Sequence, residues 1–175
     1  MRDVATLANG IRLCLDPMPS LETTAIGVWA CAGAMDETPE ENGVAHLLEH
    51  MAFKGTRSRS AREIAEAMEA VGGHINAATS YQTTGYYARI LKDDAATAFD
   101  ILSDILFDPA FDEEELEKEK DVVIQEIGEA RDTPDDVVFE AVQSLTYADQ
   151  ALGRSILGDE ASVGGDARVY SLPFE

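Results

Sequence analysis

The sequence predicts an α+β fold, in which a mostly antiparallel sheet packs against helices. Segments with the composition of β-strands occur as neighbours along the chain, and longer segments with helical periodicity precede and follow them. No linker, repeat or low-complexity stretch divides the 175 residues, which are enough for one domain with a sizeable core. We therefore expect a single domain whose strands are grouped between helices.

The first elements are expected to be strands. Residues 6–15 have the pattern of a β-hairpin, with Asn9-Gly10 at its turn. Pro17 and Pro19 then interrupt the chain, and residues 23–32 form a second apolar segment that favours a strand.

A polar, acidic loop over residues 33–43 leads into the first helix, which we expect to end near Gly55. Glu40 and Glu41 precede this helix and are expected to lie near the positive end of its dipole.

A capping box marks the start of the next helix, because Ser60 and Glu63 are spaced so that each side chain can bind the backbone N–H of the other. The elements expected from there onwards are this helix, ending at Gly72-Gly73, strands over residues 74–80 and 83–91, and a helix from Asp93 or Asp94 to Phe107.

Two further helices are expected in the last third of the chain. One is long and charged and runs from Asp112 to Ala130, and the last one opens at Thr133-Pro134. The apolar residues assigned to them are Leu116, Val122, Val123 and Ile127 in the long helix, and Val137, Val138 and Ala141 in the last.

The first helix carries the most informative motif, His46-Leu47-Leu48-Glu49-His50. Residues four apart share a helix face, so His46 and His50 can point at one metal ion, with Glu49 at the edge of that face. Two neutral imidazoles and a carboxylate beside a metal-bound water are what zinc-dependent hydrolysis of a peptide bond requires. Two histidines at this spacing can also be surface residues, or one can be an ordinary core histidine, and a catalytic zinc needs a third protein ligand.

Glu126 is a candidate for that third ligand, on the long charged helix. Glu119 lies seven residues earlier and hence on the same helix face. A carboxylate pair of this kind is more often a solvated acidic surface, so the residues alone leave Glu126 as one acidic residue among many.

Residues 46–56 resemble the zinc helix of the pitrilysin family of inverted-motif zinc peptidases, and most of all the bacterial processing peptidases similar to the mitochondrial processing peptidase β subunit. In that family a glutamate ligand follows the second histidine by about 76 positions, which is the separation of His50 and Glu126. Further matches cover residues 72–77, 118–126 and 149–158, and the resemblance extends from about residue 6 to residue 163.

The resemblance implies a set of site residues. One zinc ion per chain would be bound by His46, His50 and Glu126, and Glu49 would be the general base. Glu119 falls where the family has a further catalytic glutamate that supports the site.

The resemblance also implies where a peptide substrate binds. Asn76 and Ala77 begin the family's edge strand, which pairs with an extended peptide by β-augmentation. Asp136 and Glu140 match acidic positions that receive an arginine near the cleavage site, and their spacing of four puts them on one helix face. A solvated helix face is the alternative interpretation of these two residues.

Family members of this branch are more than twice as long, with four homologous domains in two halves that close over the peptide. We therefore expect residues 1–163 to form an incomplete first domain and residues 164–175 to be a tail that departs from the family pattern.

The resemblance implies a zinc endopeptidase that cleaves extended or presequence-like peptides, with the missing C-terminal half or a partner subunit as its second wall. Self-association through exposed edges is a further expectation. The alternative is a truncated or non-catalytic zinc-binding or assembly subunit with little activity alone.

Charge and composition limit the partners and the compartment. The net charge of −21 argues against nucleic acid and anionic membranes as partners, and reflects either simple solubility or attraction of basic peptides. No apolar run approaches transmembrane length, and the N-terminus lacks the pattern of a signal peptide. Cys14 and Cys31 fall in strand-like segments, so we expect both to be small buried hydrophobes, in keeping with a reducing cytoplasm.

Overall fold

The computed structural model describes residues 3–165 and confirms the α+β fold, with helices packed on an antiparallel sheet. The strands are β1 (Asp3–Thr6), β2 (Arg12–Leu15), β3 (Thr23–Ala30), β4 (His74–Thr79) and β5 (Thr84–Leu91). The helices are α1 (Val44–Ala52), α2 (Ala61–Ala70), α3 (Ala95–Phe107), α4 (Glu113–Asp132), α5 (Pro134–Thr146) and α6 (Glu160–Gly164). Short 3-10 turns lie at Ala34–Asp36, Pro39–Glu41, Lys92–Asp94 and Ala151–Gly153.

The central sheet has three antiparallel strands in the order β3-β5-β4. The middle strand β5 alternates between the two faces, since Tyr86, Ala88 and Ile90 are buried whereas Arg89 and Leu91 are exposed. Among the described strands, β4 pairs with β5 alone and is therefore an edge of the sheet. The three predicted strands are confirmed, with ends that differ by one or two residues.

The hairpin of β1 and β2 is a separate two-stranded sheet, and it begins earlier than predicted. The chain reverses at the predicted turn, where Gly10 has a φ of 90° and the side chain of Asn9 accepts a hydrogen bond from the N–H of Ile11. Left-handed φ values of this kind suit glycine, which explains why an Asn-Gly pair is a reliable turn signal.

The expectation that Cys14 and Cys31 are buried is wrong, because both are exposed free thiols. Cys14 belongs to a hairpin in which every strand residue is exposed, and Cys31 follows the end of β3. Apolar strand composition does not reveal whether a helix covers the strand, so the burial of these two cysteines was predicted wrongly.

Two clusters of buried apolar side chains support the fold. The larger lies between the central sheet, α2 and α3, and the smaller lies between α1, α4 and α6. Helix α1 contributes to both, with Ala52 in the larger cluster and Leu47 in the smaller. The helix that carries the histidine motif is therefore fixed to both halves of the core.

Helix α4 buries a narrower stripe than the sequence predicts. Val123 and Ile127 are buried and Leu116 is partly buried, but Val122 is 37% exposed. Consecutive residues on a helix point about 100° apart, and Val122 lies at the edge of the stripe that Val123 and Ile127 bury.

Helix α5, which contains Val137 and Val138, is predicted from the sequence to be the last helix. It has no buried residue, both valines are exposed, and α6 follows it. The predicted tail begins at Gly164, the last residue of α6, and its residues 166–175 lie outside the described part of the chain. None of the helices within residues 3–165 is long and apolar enough to cross a bilayer.

Candidate metal centre

The N-terminus of α1 is held by an acidic residue other than the two predicted. The carboxylate of Glu37 accepts hydrogen bonds from the N–H of Gly43 at 2.9 Å and of Ala45 at 2.7 Å. These N–H groups have no partner inside the helix, and the negative charge complements the helix dipole. Glu40 and Glu41 instead belong to the preceding 3-10 turn.

Gly43 begins α1 in a conformation that few other residues adopt. Its φ is 97°, and a Cβ atom built there would lie 2.7 Å from the carbonyl oxygen of Leu157. Glycine therefore allows a close approach between the start of the histidine helix and the segment that leads to α6.

Helix α1 presents its two histidines on one face, as the i, i+4 spacing predicts, and this face adjoins the one that buries Leu47. The ring centroids of His46 and His50 are 4.7 Å apart, with 66° between the ring planes. Both rings are mostly buried, at 13% and 18% side-chain exposure.

Glu126 of α4 faces both rings. Its Oε2 atom lies 3.7 Å from Nε2 of His46 and 3.6 Å from Nε2 of His50. The three residues each offer one ligand atom, and all these atoms lie within 4.8 Å of one another. Residues 76 positions apart in sequence thus converge on one point between α1 and α4.

The spacing of these atoms suits a metal ion better than direct hydrogen bonds. Both contacts are longer than a normal N–H···O bond. Donors about 2.0–2.2 Å from a tetrahedral zinc lie roughly 3.3–3.6 Å from one another. Two imidazoles and a carboxylate are also a donor set that zinc accepts, so the residues present fit this metal.

The environment of His46 favours its neutral form. Burial lowers the pKa of His46 below its usual value of 6.5, the nearby His50 lowers it further, and the carboxylates of Glu126 and Glu49 oppose the shift. A neutral imidazole is the form that binds metals. The Nδ1 atom of His46 is buried and has no hydrogen-bond partner among the described residues.

Glu119 is not part of a solvated acidic surface, although two carboxylates on one helix face, such as Glu119 and Glu126, more often are. Its side chain is 6% exposed, and each of its two oxygens has a donor of its own. Oε2 lies 3.0 Å from Nδ1 of His50, and Oε1 lies 2.6 Å from Nζ of Lys54. Because an ionised carboxylate only accepts hydrogen bonds, this contact favours the His50 tautomer that carries its proton on Nδ1.

Glu49 lies beside the histidines and is fixed by a residue of the edge strand. The hydroxyl of Thr79 donates a hydrogen bond to Oε2 of Glu49, at 2.5 Å. Tyr86 lies nearby, and burial, together with the charge of Glu49, raises the pKa of Tyr86 to about 12. The phenol therefore stays protonated at neutral pH.

The two residues predicted at the start of the edge strand lie inside β4, which begins at His74. Asn76 is exposed and Ala77 is buried, as alternation along a strand requires. Oδ1 of Asn76 accepts a hydrogen bond from the N–H of Ala77 at 2.9 Å.

The two predicted acidic residues of α5, Asp136 and Glu140, are both exposed. Oε1 of Glu140 accepts a hydrogen bond from the hydroxyl of Ser155 at 2.5 Å. Glu140 also lines a cavity of about 300 Å³ together with Arg131 and Arg154, whereas Asp136 is not among its lining residues.

Sequence reasoning did not single out Lys54 or Thr79. Lys54 follows His50 by four residues and hence lies on the side of α1 that faces α4, a signal that the sequence did contain. Thr79 meets Glu49 only through the packing of β4 against α1, and no local pattern indicates it.

The chain therefore has a candidate metal centre of the inverted-motif type. Two histidines and a glutamate surround one point, and a further carboxylate, that of Glu49, lies on the same helix as the histidines. Residues 14–160 match the model of a family described as insulinase, peptidase family M16. The chain belongs to this family.

Named relatives share much of this sequence. The chain is 48% identical over 165 residues to an uncharacterised zinc protease, YmxG, of Bacillus subtilis, covering 93% of the chain and 40% of the relative. It is 43% identical over 152 residues to the mitochondrial-processing peptidase subunit beta of Saccharomyces cerevisiae, covering 87% of the chain and 33% of the relative. The chain thus spans about two fifths or less of the length of these relatives.

Two solved structures share the fold. A protease from Helicobacter pylori superposes with a TM-score of 0.88 at 22% identity, covering 94% of this chain and 40% of the other. A peptidase M16 inactive domain from Pseudomonas fluorescens superposes with a TM-score of 0.86 at 17% identity, covering 93% of this chain and 40% of the other. Since one of the two is described as inactive, the fold alone does not indicate catalysis, and the site residues must carry that argument.

Proposed function

We propose that this chain is the zinc-binding part of a metalloendopeptidase that hydrolyses extended or presequence-like peptides. The observation that carries the proposal is the convergence of His46, His50 and Glu126 on one point, with Glu49 on the same helix as the two histidines. Two relatives are named as zinc proteases, which supports zinc-dependent hydrolysis of peptide bonds as the reaction class.

In this proposal His46, His50 and Glu126 hold one zinc ion per chain. When bound, the zinc would supply Lewis-acid chemistry for the hydrolysis of a peptide bond. The remaining chemistry belongs to the side chains around it.

Glu49 is proposed as the general base that takes a proton from the attacking water and later passes it to the leaving amine. The hydrogen bond from Thr79 fixes one of its oxygens and leaves the other to accept the proton. Glu119 is proposed to support the reaction through His50, whose imidazole it orients.

The substrate residues of the proposal are Asn76 and Ala77 on the edge strand, and Asp136 and Glu140 on α5. An extended peptide would add to the edge strand β4 through backbone hydrogen bonds. The acidic pair and the net charge of −21 favour a basic peptide.

We further propose that residues 1–163 are one incomplete domain and that residues 164–175 depart from the family pattern. Because the chain spans two fifths of its relatives, a further half of the protein or a partner subunit would supply the second wall around the peptide. The yeast relative is named as a subunit, which supports such a partner.

The exposed apolar side chains of α5 support self-association when no partner covers them. The exposed free thiols of Cys14 and Cys31 support a reducing compartment such as the cytoplasm.

A non-catalytic binding or assembly subunit is the second candidate. A domain described as inactive has the same fold, so the fold is compatible with this candidate. The presence of Glu49 argues against it, because a binding subunit has no need of a general base.

The experiment that separates the two candidates measures cleavage of a quenched basic peptide by the zinc-loaded chain, alone and with the C-terminal half of the Bacillus subtilis relative added. The proposal expects weak cleavage by the chain alone, a rise by orders of magnitude with the added half, and loss of the activity in Glu49→Gln. No activity in either preparation would favour the second candidate, whereas activity that persists in Glu49→Gln would exclude Glu49 as the general base.

A further inference from the structure

The described residues around the two histidines support them unequally. Nδ1 of His50 has a buried carboxylate partner in Glu119, whereas Nδ1 of His46 has no partner among residues 3–165. The orientation of the His50 imidazole therefore depends on the group that holds Glu119 in place.

Lys54 is that group. It lies just beyond the end of α1, one helical turn after His50, and its Nζ contacts Oε1 of Glu119 at 2.6 Å. His50 and Lys54 thus approach the two oxygens of one carboxylate from one side, and each oxygen has its own donor. Glu119 comes from α4, so this arrangement also joins the two helices that carry the candidate metal ligands.

The burial of this pair distinguishes it from a surface ion pair. The Glu119 side chain is 6% exposed and that of Lys54 is 32% exposed. Lys118 and Glu115 on the outside of α4 are also 2.6 Å apart, but their side chains are 62% and 34% exposed. A carboxylate buried without a cationic partner costs free energy and would turn towards water, whereas an exposed pair contributes little.

We propose that Lys54 is a positioning residue for the metal centre: it holds one oxygen of Glu119 so that the other orients His50, with Nε2 of the imidazole directed towards Glu126. This inference rests on the proposed function, because it assigns Lys54 a role at the same zinc site. In this role Lys54 is not a metal ligand and acts through its contact with Glu119.

The proposal predicts a change in zinc affinity opposite in direction to the change that simple electrostatics predicts. A lysine close to a dication repels it, so removal of the positive charge alone should strengthen zinc binding. If Lys54 positions Glu119, removal of the lysine should instead weaken zinc binding. Loss of groups that orient metal ligands typically lowers metal affinity about 10–100-fold.

The test is a zinc titration against a competing chelator at fixed pH, on the metal-free wild-type chain and its variants. Lys54→Met should weaken zinc binding about tenfold, and Lys54→Arg, which keeps the charge, should restore most of the affinity. Lys118→Met is the matched control and should leave the affinity unchanged. In a Glu119→Gln background, Lys54→Met should cause no further loss, because the partner through which it acts is already changed.

Two further readouts keep the test decisive. The melting temperature of each metal-free variant separates a loss of folding from a loss of zinc affinity. Nitrogen NMR of the metal-free wild-type chain should show His50 protonated on Nδ1, and this readout needs no variant.

The outcomes separate the inference from the proposed function. Zinc binding by the wild type together with unchanged or tighter binding by a folded Lys54→Met would overturn the inference alone. A neutral His50 in the wild type that carries its proton on Nε2 and none on Nδ1 would also overturn it. A wild-type chain with no affinity for zinc would overturn the proposed function as well.

Discussion

Nδ1 of His50 lies 3.0 Å from Oε2 of Glu119, a contact between residues 69 positions apart in the sequence. It joins the helix that carries the histidines to the helix that carries Glu126. With Nδ1 engaged by the carboxylate, Nε2 is left to face Glu126. The candidate metal centre is therefore arranged by a carboxylate that is not itself one of the proposed ligands.

Glu119→Gln tests this arrangement directly. The amide keeps the shape of the side chain but loses the charge that Lys54 and His50 both contact, so we expect zinc affinity to fall about 10–100-fold. Chelator competition on the metal-free protein measures the change, with Glu117→Gln as the control because Glu117 is 70% exposed. Equal losses in the two variants would show that the effect is one of net charge.

Glu49→Gln should retain zinc but lose peptide hydrolysis. An amide of the same shape cannot accept a proton from water, and loss of a general base typically lowers the rate about 10²–10⁴-fold. The measurement is cleavage of the basic peptide by the chain combined with the added C-terminal half, alongside zinc content. A variant that keeps more than about a hundredth of the activity would exclude Glu49 as the base.

Thr79→Val should reduce the hydrolytic rate without affecting zinc content. Valine fills the same volume but removes the hydrogen bond to Glu49, so the carboxylate loses its fixed orientation. We expect a smaller rate loss than in Glu49→Gln, because the base itself remains. Thr83→Val is a suitable control, since the hydroxyl of Thr83 contacts Ser80 in the exposed turn between β4 and β5. Similar rate losses in both variants would argue against the assignment.

Asp104→Asn should destabilise the fold, because Asp104 ties α3 to the segment after α1. Its carboxylate accepts hydrogen bonds from Thr56, Ser58 and Arg59. Burial acts to raise the pKa of Asp104, but these bonds outweigh it, and the pKa is lowered below its ordinary value. We expect a loss of about 1–2 kcal/mol in the free energy of unfolding.

The pH dependence of this effect follows from the direction of the shift. A carboxyl group whose pKa is lower in the folded state contributes stability above its unfolded pKa of about 3.9, and that contribution is lost as the pH falls through the folded value. Urea unfolding at pH 7 and near pH 3 should therefore show a smaller difference between wild type and Asp104→Asn at the lower pH. Asp100→Asn serves as the control, because Asp100 bonds the same arginine but is 66% exposed. A difference that grows at low pH would contradict the assignment.

The sequence predicted those features that depend on residues close together in the chain. The spacing of His46 and His50 determines a shared helix face, and the Ser60–Glu63 capping box is present as predicted, with the side chain of Ser60 accepting from the N–H of Glu63. Glu126 required family resemblance, because nothing local marks it among so many acidic residues. The contact of Thr79 with Glu49 depends on packing between separate elements, which sequence patterns do not encode.

Errors in the sequence analysis concern burial more than element type. Cys14 and Val122 lie in the predicted kinds of element but are exposed. Periodicity shows which residues share a face, whereas the neighbouring elements decide whether that face is covered.

The central claim is that His46, His50 and Glu126 form one zinc site, and zinc stoichiometry tests it most directly. The metal-free chain is loaded with zinc, freed of excess by gel filtration and measured by elemental analysis, next to Glu126→Gln and to Glu129→Gln, which alters an exposed glutamate on the same helix. We expect one zinc per chain in the wild type and in Glu129→Gln, and little zinc in Glu126→Gln, because two ligands rarely hold zinc against buffer. Full zinc occupancy in Glu126→Gln, or none in the wild type, would contradict the account.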